Sequence, residues 1–281
     1  MELGISMNVF DHASHSREET REMALRLKEQ FDLTSIEVVL DGVGRQFAPY
    51  PWEYTESDIA ELLKFIEPFA VKGGHLPFVS LNPIAFNERV REDAMEQMRL
   101  AIEIAKQLKL DYGVIHASGN NGGMAVDREV GRHYKALRRC AEFCKDSGMS
   151  LSIENAEGFR NIKTCTDSIR ALKAEGLPVS MTFDTGHANF PLNTAEPGCA
   201  PYASVTDAIE NCIDLIDNIH LHNNDGTGDQ HQGLTDGTID LKSCIQRLRD
   251  LNYQGSISLE FGPGVKDIGL EIQTLKEWAG K

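Results

Sequence analysis

Eight short apolar runs, each followed by a longer amphipathic stretch, fill the chain from end to end, and few folds accept that rhythm. The runs cover residues 4–9, 36–40, 71–75, 112–116, 150–154, 179–184, 218–222 and 256–261. Runs of this length suit strands and are too short for helices. The stretches between them carry helical periodicity over 16–30, 57–69, 87–108, 128–145, 166–174, 204–215, 241–251 and 266–278. Ser16, with Glu19 three residues on, forms a capping box at the first helix, and Ser57 is the expected cap of the second. Eight uninterrupted strand–helix units predict a parallel sheet closed into one (β/α)8 barrel over residues 1–281. The alternative is an open doubly wound sheet, but no GxGxxG loop follows the first strand. The length of 281 residues also suits a single barrel of about 250 residues.

The phase of alternation inside the later strands says more. In Leu151-Ser152-Ile153-Glu154 the apolar residues share one face and the polar residues the other. The same holds for Ser180, Thr182 and Asp184, for His220 and His222, and for Ser258 and Glu260. Side chains alternate along a strand, so the apolar set faces the helices and the polar set points into the barrel. Each polar set ends in an ionisable residue at the end of its strand. His75 and His116 end two earlier runs in the same way. Carboxylates gathered on one rim repel one another and are costly to bury. Glu154, Asp184, His222 and Glu260 therefore call for a divalent cation, and this donor set suits zinc, manganese, iron or cobalt better than calcium. His187, three residues after Asp184, and Asp229 and His231, in the loop after His222, are further donors.

Other residues read more plainly. His12 and His15 are expected in a solvated loop. His133, in a helical stretch, reads as a surface residue. His220 lies one layer below the rim, where it supports the site by hydrogen bonding. The six cysteines form no CxxC pair and read as reduced thiols. Two long connections, 41–56 and 189–203, follow strands and so lie on the active face, where they read as lids. The first carries Phe47, Tyr50, Trp52 and Tyr54. No apolar run reaches the length of a membrane span, and no signal-peptide pattern opens the chain, so a cytoplasmic protein is expected. The formal net charge of −15 disfavours a nucleic-acid partner without excluding one.

These motifs are similar to those of a known superfamily. Gly74-His75-Leu76-Pro77, Val114-Ile115-His116, Ile153-Glu154-Asn155-Ala156, Phe183-Asp184-Thr185-Gly186-His187, His222-Asn223-Asn224-Asp225, Asp229-Gln230-His231 and Leu259-Glu260 occur in this order on consecutive units. The chain thereby resembles the xylose-isomerase-like TIM-barrel superfamily, which includes sugar isomerases and epimerases and the endonuclease IV group. The resemblance implies that Glu154, Asp184, His222 and Glu260 hold one divalent ion, with the two glutamates as acid and base. The endonuclease IV pattern adds His75 and His116 at a second ion sharing Glu154, and His187, Asp229 and His231 at a third. All nine positions match, which implies one to three ions, zinc or manganese foremost. His116-Ala117-Ser118-Gly119 departs from the His-Pro-Gly of endonuclease IV.

Two chemistries follow. In a sugar or sugar-phosphate isomerase or epimerase, the metal stabilises an enediolate while Glu154 and Glu260 move the proton. His187, Trp52 and Phe47 would then bind the carbohydrate. In an endonuclease IV-like phosphodiesterase, clustered zinc ions would activate water against abasic DNA. That substrate needs basic residues on the mouth loops, which carry Arg45 and none over 189–203 or 223–237. A metal-dependent barrel enzyme on another small carbohydrate is a third reading. The sugar enzyme is favoured, and the sequence leaves a homo-oligomer open.

Overall fold

The alternation is realised as a sheet closed on itself. The computed structural model describes residues 1–10, 14–42, 48–116, 126–156, 162–194 and 202–281. Strands β1 (Glu2–Ser6), β2 (Ser35–Val39), β3 (Val71–His75), β4 (Tyr112–Ile115), β5 (Ser150–Glu154), β6 (Val179–Asp184), β7 (Ile216–Leu221) and β8 (Ser256–Leu259) run parallel in chain order. The last strand returns to pair with the first, Leu3 opposite Ile257, which removes the open-sheet alternative. Around the barrel lie α1 (Arg17–Phe31), α2 (Glu56–Ile66), α3 (Glu88–Gln107), α4 (Val126–Phe143), α5 (Ile162–Ala174), α6 (Thr185–Thr194), α7 (Val205–Cys212), α8 (Leu241–Asp250) and α9 (Ile268–Ala279). Among the described residues no helix is long and apolar enough to cross a membrane.

Period-two alternation sorts the strand residues into two environments. Ile5, Ile36, Val38, Leu151, Ile153, Met181, Phe183, Ile219, Ile257 and Leu259 are buried in the apolar core. The opposite face fills the barrel with polar groups that satisfy one another. The hydroxyls of Ser152 and Thr182 pair at 2.6 Å, and those of Ser150 and Ser180 at 2.8 Å. Ser256 and Ser258 both donate to Asn218 Oδ1. Tyr112 reaches across the interior because Gly73 lies beside its ring, where a Cβ would come within 2.2 Å of it.

Several details differ from the sequence reading. The first strand stops at Ser6, and Met7–Val9 forms a 3-10 turn. The cap of α2 is Thr55, not Ser57: Thr55 accepts the Asp58 N–H, and the Asp58 carboxylate accepts the Thr55 N–H. Residues 189–194 are not part of a long loop but belong to α6, which starts directly from β6. Residues 195–201 and Phe47 lie outside the described residues, as do His12 and the 117–119 departure. Cys140, Cys144, Cys165, Cys212 and Cys244 are buried free thiols. Cys140 and Cys144 join the hydrophobic core rather than the donor cluster, and burial pushes the Cys144 thiol up to about 12.

His133 is not a surface residue: it is buried, and burial pushes its pKa down to about 4. Free imidazole titrates near 6.5. The unfolded chain therefore takes up a proton that the folded chain refuses. Stability is full above about pH 6.5 and falls as the pH drops toward 4, by on the order of 2 kcal/mol for this side chain after allowance for solvent screening. His133→Gln is expected to lose less stability than the wild type between pH 7.5 and 5, read from urea midpoints. An equal loss in both proteins refutes the assignment.

Candidate active site and metal centre

The carboxyl ends of the strands deliver a dense set of ionisable side chains to one cavity of about 370 Å³. His75, Glu154 and Asp184 end β3, β5 and β6, while His116, His222 and Glu260 each follow their strand by one residue. All six are buried, as is His187. Local hydrogen bonds fix their positions. Asn155 clamps the end of β6, accepting the Asp184 N–H at 2.7 Å and donating to its carbonyl at 2.9 Å. The Asp184 carboxylate caps α6 by accepting the His187 N–H at 2.7 Å, which turns His187 into the cavity. After β7 the chain folds back through a bridge between Asn223 and Gln232, bringing Asp229 and His231 over the mouth. His231 takes a left-handed φ of 46° there, a strained conformation for a side-chain-bearing residue.

The donors converge in overlapping groups. His75, His116 and Glu154 each offer a ligand atom within 4.8 Å of one another, and so do His187, Asp229 and His231. His222, His231 and Glu260 form another such trio, and Glu154, Asp184 and His220 a fourth. His116 Nε2 lies 3.0 Å from Glu154 Oε2, and His222 Nε2 lies 3.0 Å from Asp184 Oδ2. His187 bridges, with Nδ1 2.9 Å from Glu154 Oε1 and Nε2 3.0 Å from Asp229 Oδ2. The sequence reading thus assembled nine donors that the fold brings into contact. His220 stands one layer below the rim, opposite Ser258 in β8, and its Nδ1 reaches up to 3.0 Å from Glu260 Oε2 and 3.5 Å from Glu154 Oε2.

These residues fit a divalent cation. His75 Nδ1 and His231 Nδ1 each lie 2.9 Å from a backbone carbonyl, Leu76 and Glu260 respectively, to which a ring nitrogen can only donate. Each Nε2 then turns toward a carboxylate, Glu154 at 3.8 Å and Asp229 at 3.2 Å. Lone pair facing lone pair is repulsive unless a proton or a metal lies between them. The Nδ1 atoms of His187 and His220 lie against carboxylates without hydrogen-bond geometry. Among the described residues no lysine or arginine lines the cavity.

The electrostatics follow from this crowding. Burial opposes ionisation of Glu154, but His116 and His220 hold it well below the usual carboxylate range. Burial is likewise outweighed at Asp184 by His187 and His222, and at Glu260 by His220 and His231. In turn, and again against burial, Asp184 and Asp229 raise His187, and Glu260 and Glu37 raise His220. His231 is raised to about 9 against burial, by Asp229 and then Glu260. His75 moves down, through burial and the neighbouring His116. To offer nitrogen lone pairs to a metal, the raised histidines must release protons. Mn(II) affinity is therefore expected to rise as the pH is raised from 6 toward 9, with proton release measurable by calorimetry in buffers of different ionisation enthalpy. Binding without proton release contradicts this.

The aromatic residues divide differently from expectation. Trp52 does not line the cavity: it stacks on Tyr50 at 4.8 Å and is 54% exposed. Phe78, Val79 and Phe261 form the apolar wall instead. Phe78 packs on His116 with ring centroids 4.3 Å apart. Asn8 and Asp41 also line the cavity. Asn8 donates to Glu260 Oε1 at 2.8 Å, and Asp41 accepts the Phe78 and Val79 N–H groups, fixing the wall. Asn8 and Asp41 follow β1 and β2, so position after a strand was the signal available for them.

Fold and site together define a class. The model of the xylose isomerase-like TIM barrel family matches residues 25–278, and the chain belongs to that family. It is similar to the uncharacterized protein MJ1311 of Methanocaldococcus jannaschii, 29% identical over 73% of this chain and 68% of that one. It is also similar to the fructoselysine 3-epimerase of Shigella flexneri, 24% identical over 64% of this chain and 62% of that one. The crystal structure of a D-tagatose 3-epimerase-like protein superposes with a TM-score of 0.79 at 23% identity, covering 100% of this chain and 97% of that one.

Proposed function

We propose that the protein is a divalent-metal-dependent sugar isomerase or epimerase that moves a proton at the carbon beside a ketose carbonyl. One observation carries this reading: two buried carboxylates from strands three apart, Glu154 and Glu260, open into one small cavity that no lysine or arginine lines among the described residues. The volume of about 370 Å³ lies within the range of about 300–1,000 Å³ typical of small-ligand sites. A fructoselysine 3-epimerase among the relatives and a D-tagatose 3-epimerase-like protein among the structural neighbours agree with such a substrate.

Glu154, Asp184, His222 and Glu260 would hold the ion. Bound there, it supplies positive charge to the substrate oxygens and so acidifies the neighbouring C–H. Glu154 and Glu260, kept ionised by their histidines, each stand ready to accept that proton or return it. His187, with Nε2 on Asp229, is placed to hold a substrate hydroxyl. Phe78, Val79 and Phe261 would give the substrate an apolar wall to lie against.

The trios His75–His116–Glu154 and His187–Asp229–His231 favour a second reading, a multi-zinc phosphodiesterase. One experiment separates the two. Protein loaded with manganese or zinc is offered ketoses in deuterated water and, separately, an abasic duplex. Deuterium uptake beside the carbonyl is the expected result, and strand nicking without uptake overturns it.

A further inference from the structure

Glu37 is a buried carboxylate that the proposed chemistry does not use. It stands in β2 between Ile36 and Val38, both of which belong to the apolar core, and points into the barrel. Barrel interiors are ordinarily filled by valine, isoleucine and leucine. A buried carboxylate–imidazole pair is often less stable than apolar residues of the same volume. Glu37 nevertheless has a complete set of partners. Both of its oxygens lie 3.1 Å from His220 Nε2, and Tyr112 Oη and Asn218 Nδ2 each donate to Oε2 at 3.3 Å. Gly73 gives the Tyr112 ring the space it needs to reach this position. The Glu37 oxygens act as acceptors toward Tyr112 and Asn218, and in the same way accept from the ring nitrogen facing them. That anchorage fixes the plane of the ring. The opposite nitrogen, Nδ1, then lies 3.0 Å from Glu260 Oε2, 3.5 Å from Glu154 Oε2 and 3.9 Å from Asp184 Oδ2.

We propose that Glu37 is a positioning residue: through its two-oxygen contact with Nε2 it holds His220 so that Nδ1 stands between Glu154 and Glu260 and sets the placement of both carboxylates. Its effect on turnover rests on the isomerase or epimerase reading, whereas the positioning itself does not. The Tyr112 and Asn218 contacts hold Glu37 in turn, so the chain of contact runs from the middle of the barrel to the reacting groups.

The test labels histidine with 15N and identifies the His220 signals by their loss in His220→Asn. In the wild type His220 is expected to carry its hydrogen on Nε2, protected from exchange with water. A wild-type His220 whose Nε2 bears no hydrogen overturns the proposal without any further variant. In Glu37→Gln the amide oxygen can accept only as a neutral and weaker partner, so the Nε2–H signal is expected to lose its protection from exchange. Mn(II) affinity should fall about 10–100-fold, the usual cost of losing a partner behind a ligand. The ketose kcat should fall by a similar factor, with KM changed less than about twofold. Wild-type kcat in Glu37→Gln overturns the proposal. If no ketose is turned over by the wild type, the sugar reading fails alone, and the Nε2 signal with Mn(II) affinity still decides the role of Glu37. Unchanged values of both then overturn it.

Discussion

Glu260→Gln is expected to lower epimerisation by about 10²–10⁴-fold, the range usual for removal of a general acid–base group. The glutamine keeps the size of the side chain and can still accept from Asn8 Nδ2, which now donates to Glu260 at 2.8 Å. What it loses is the ability to take a proton. Glu154→Gln should cost a comparable factor. The two variants should differ in a revealing way. Glu154 and Glu260 reach the cavity from β5 and β8, on different sides of the mouth. With one carboxylate removed, the other can still withdraw and return a proton on its own face. Glu260→Gln should therefore wash deuterium into one epimer without converting it, and Glu154→Gln should do so with the other. Because both residues also belong to donor trios, bound Mn(II) is measured in each variant. Exchange of the same epimer by both variants sinks the two-carboxylate assignment.

Much of this site was legible because it lies at strand ends. Ile153-Glu154 and Leu259-Glu260 each show an apolar residue turned outward and a carboxylate turned inward, and that pattern is local. Glu37 was hidden for the opposite reason. It is the one charge in an apolar run, and its partners Tyr112, Asn218 and His220 lie 75 to 183 residues away. Only closure of the barrel brings them together. The helix α6 was hidden by its composition, since Gly186 and Pro191 argue against a helix. Tertiary contacts override that preference: Asp184 caps the helix, and Asn224 Nδ2 donates to the Gly186 carbonyl at 2.9 Å. Trp52 shows the limit of placing an aromatic residue by loop alone. It satisfies its ring on Tyr50, two residues away, while Phe78 from the next unit supplies the wall. His133 depends on what packs over its helix, which no local pattern reports.

Gly186 offers the other large effect, because two forces act on it in opposite directions. It stands in the first turn of α6, where alanine would favour the helix by about 1 kcal/mol. A Cβ there, however, would lie 2.1 Å from His222 Cε1 and 2.8 Å from both ring nitrogens. Neither side can yield easily. The helix start is held by the Asp184 cap, by Asn224 on the Gly186 carbonyl and by Thr185 Oγ1 on the His222 carbonyl at 2.8 Å. The His222 ring is held by Asp184 and by stacking on His231 with centroids 3.9 Å apart. An overpacked site of this kind costs about 1–3 kcal/mol, which outweighs the gain in helix propensity. Relief by rotating His222 would part it from Asp184 and disturb His231, so three of the proposed metal donors move together. Gly186→Ala is therefore expected to unfold at a lower temperature than the wild type and to bind Mn(II) at least about 10-fold more weakly. A more stable Gly186→Ala with wild-type Mn(II) affinity would show that helix propensity governs the position and that His222 has room to spare.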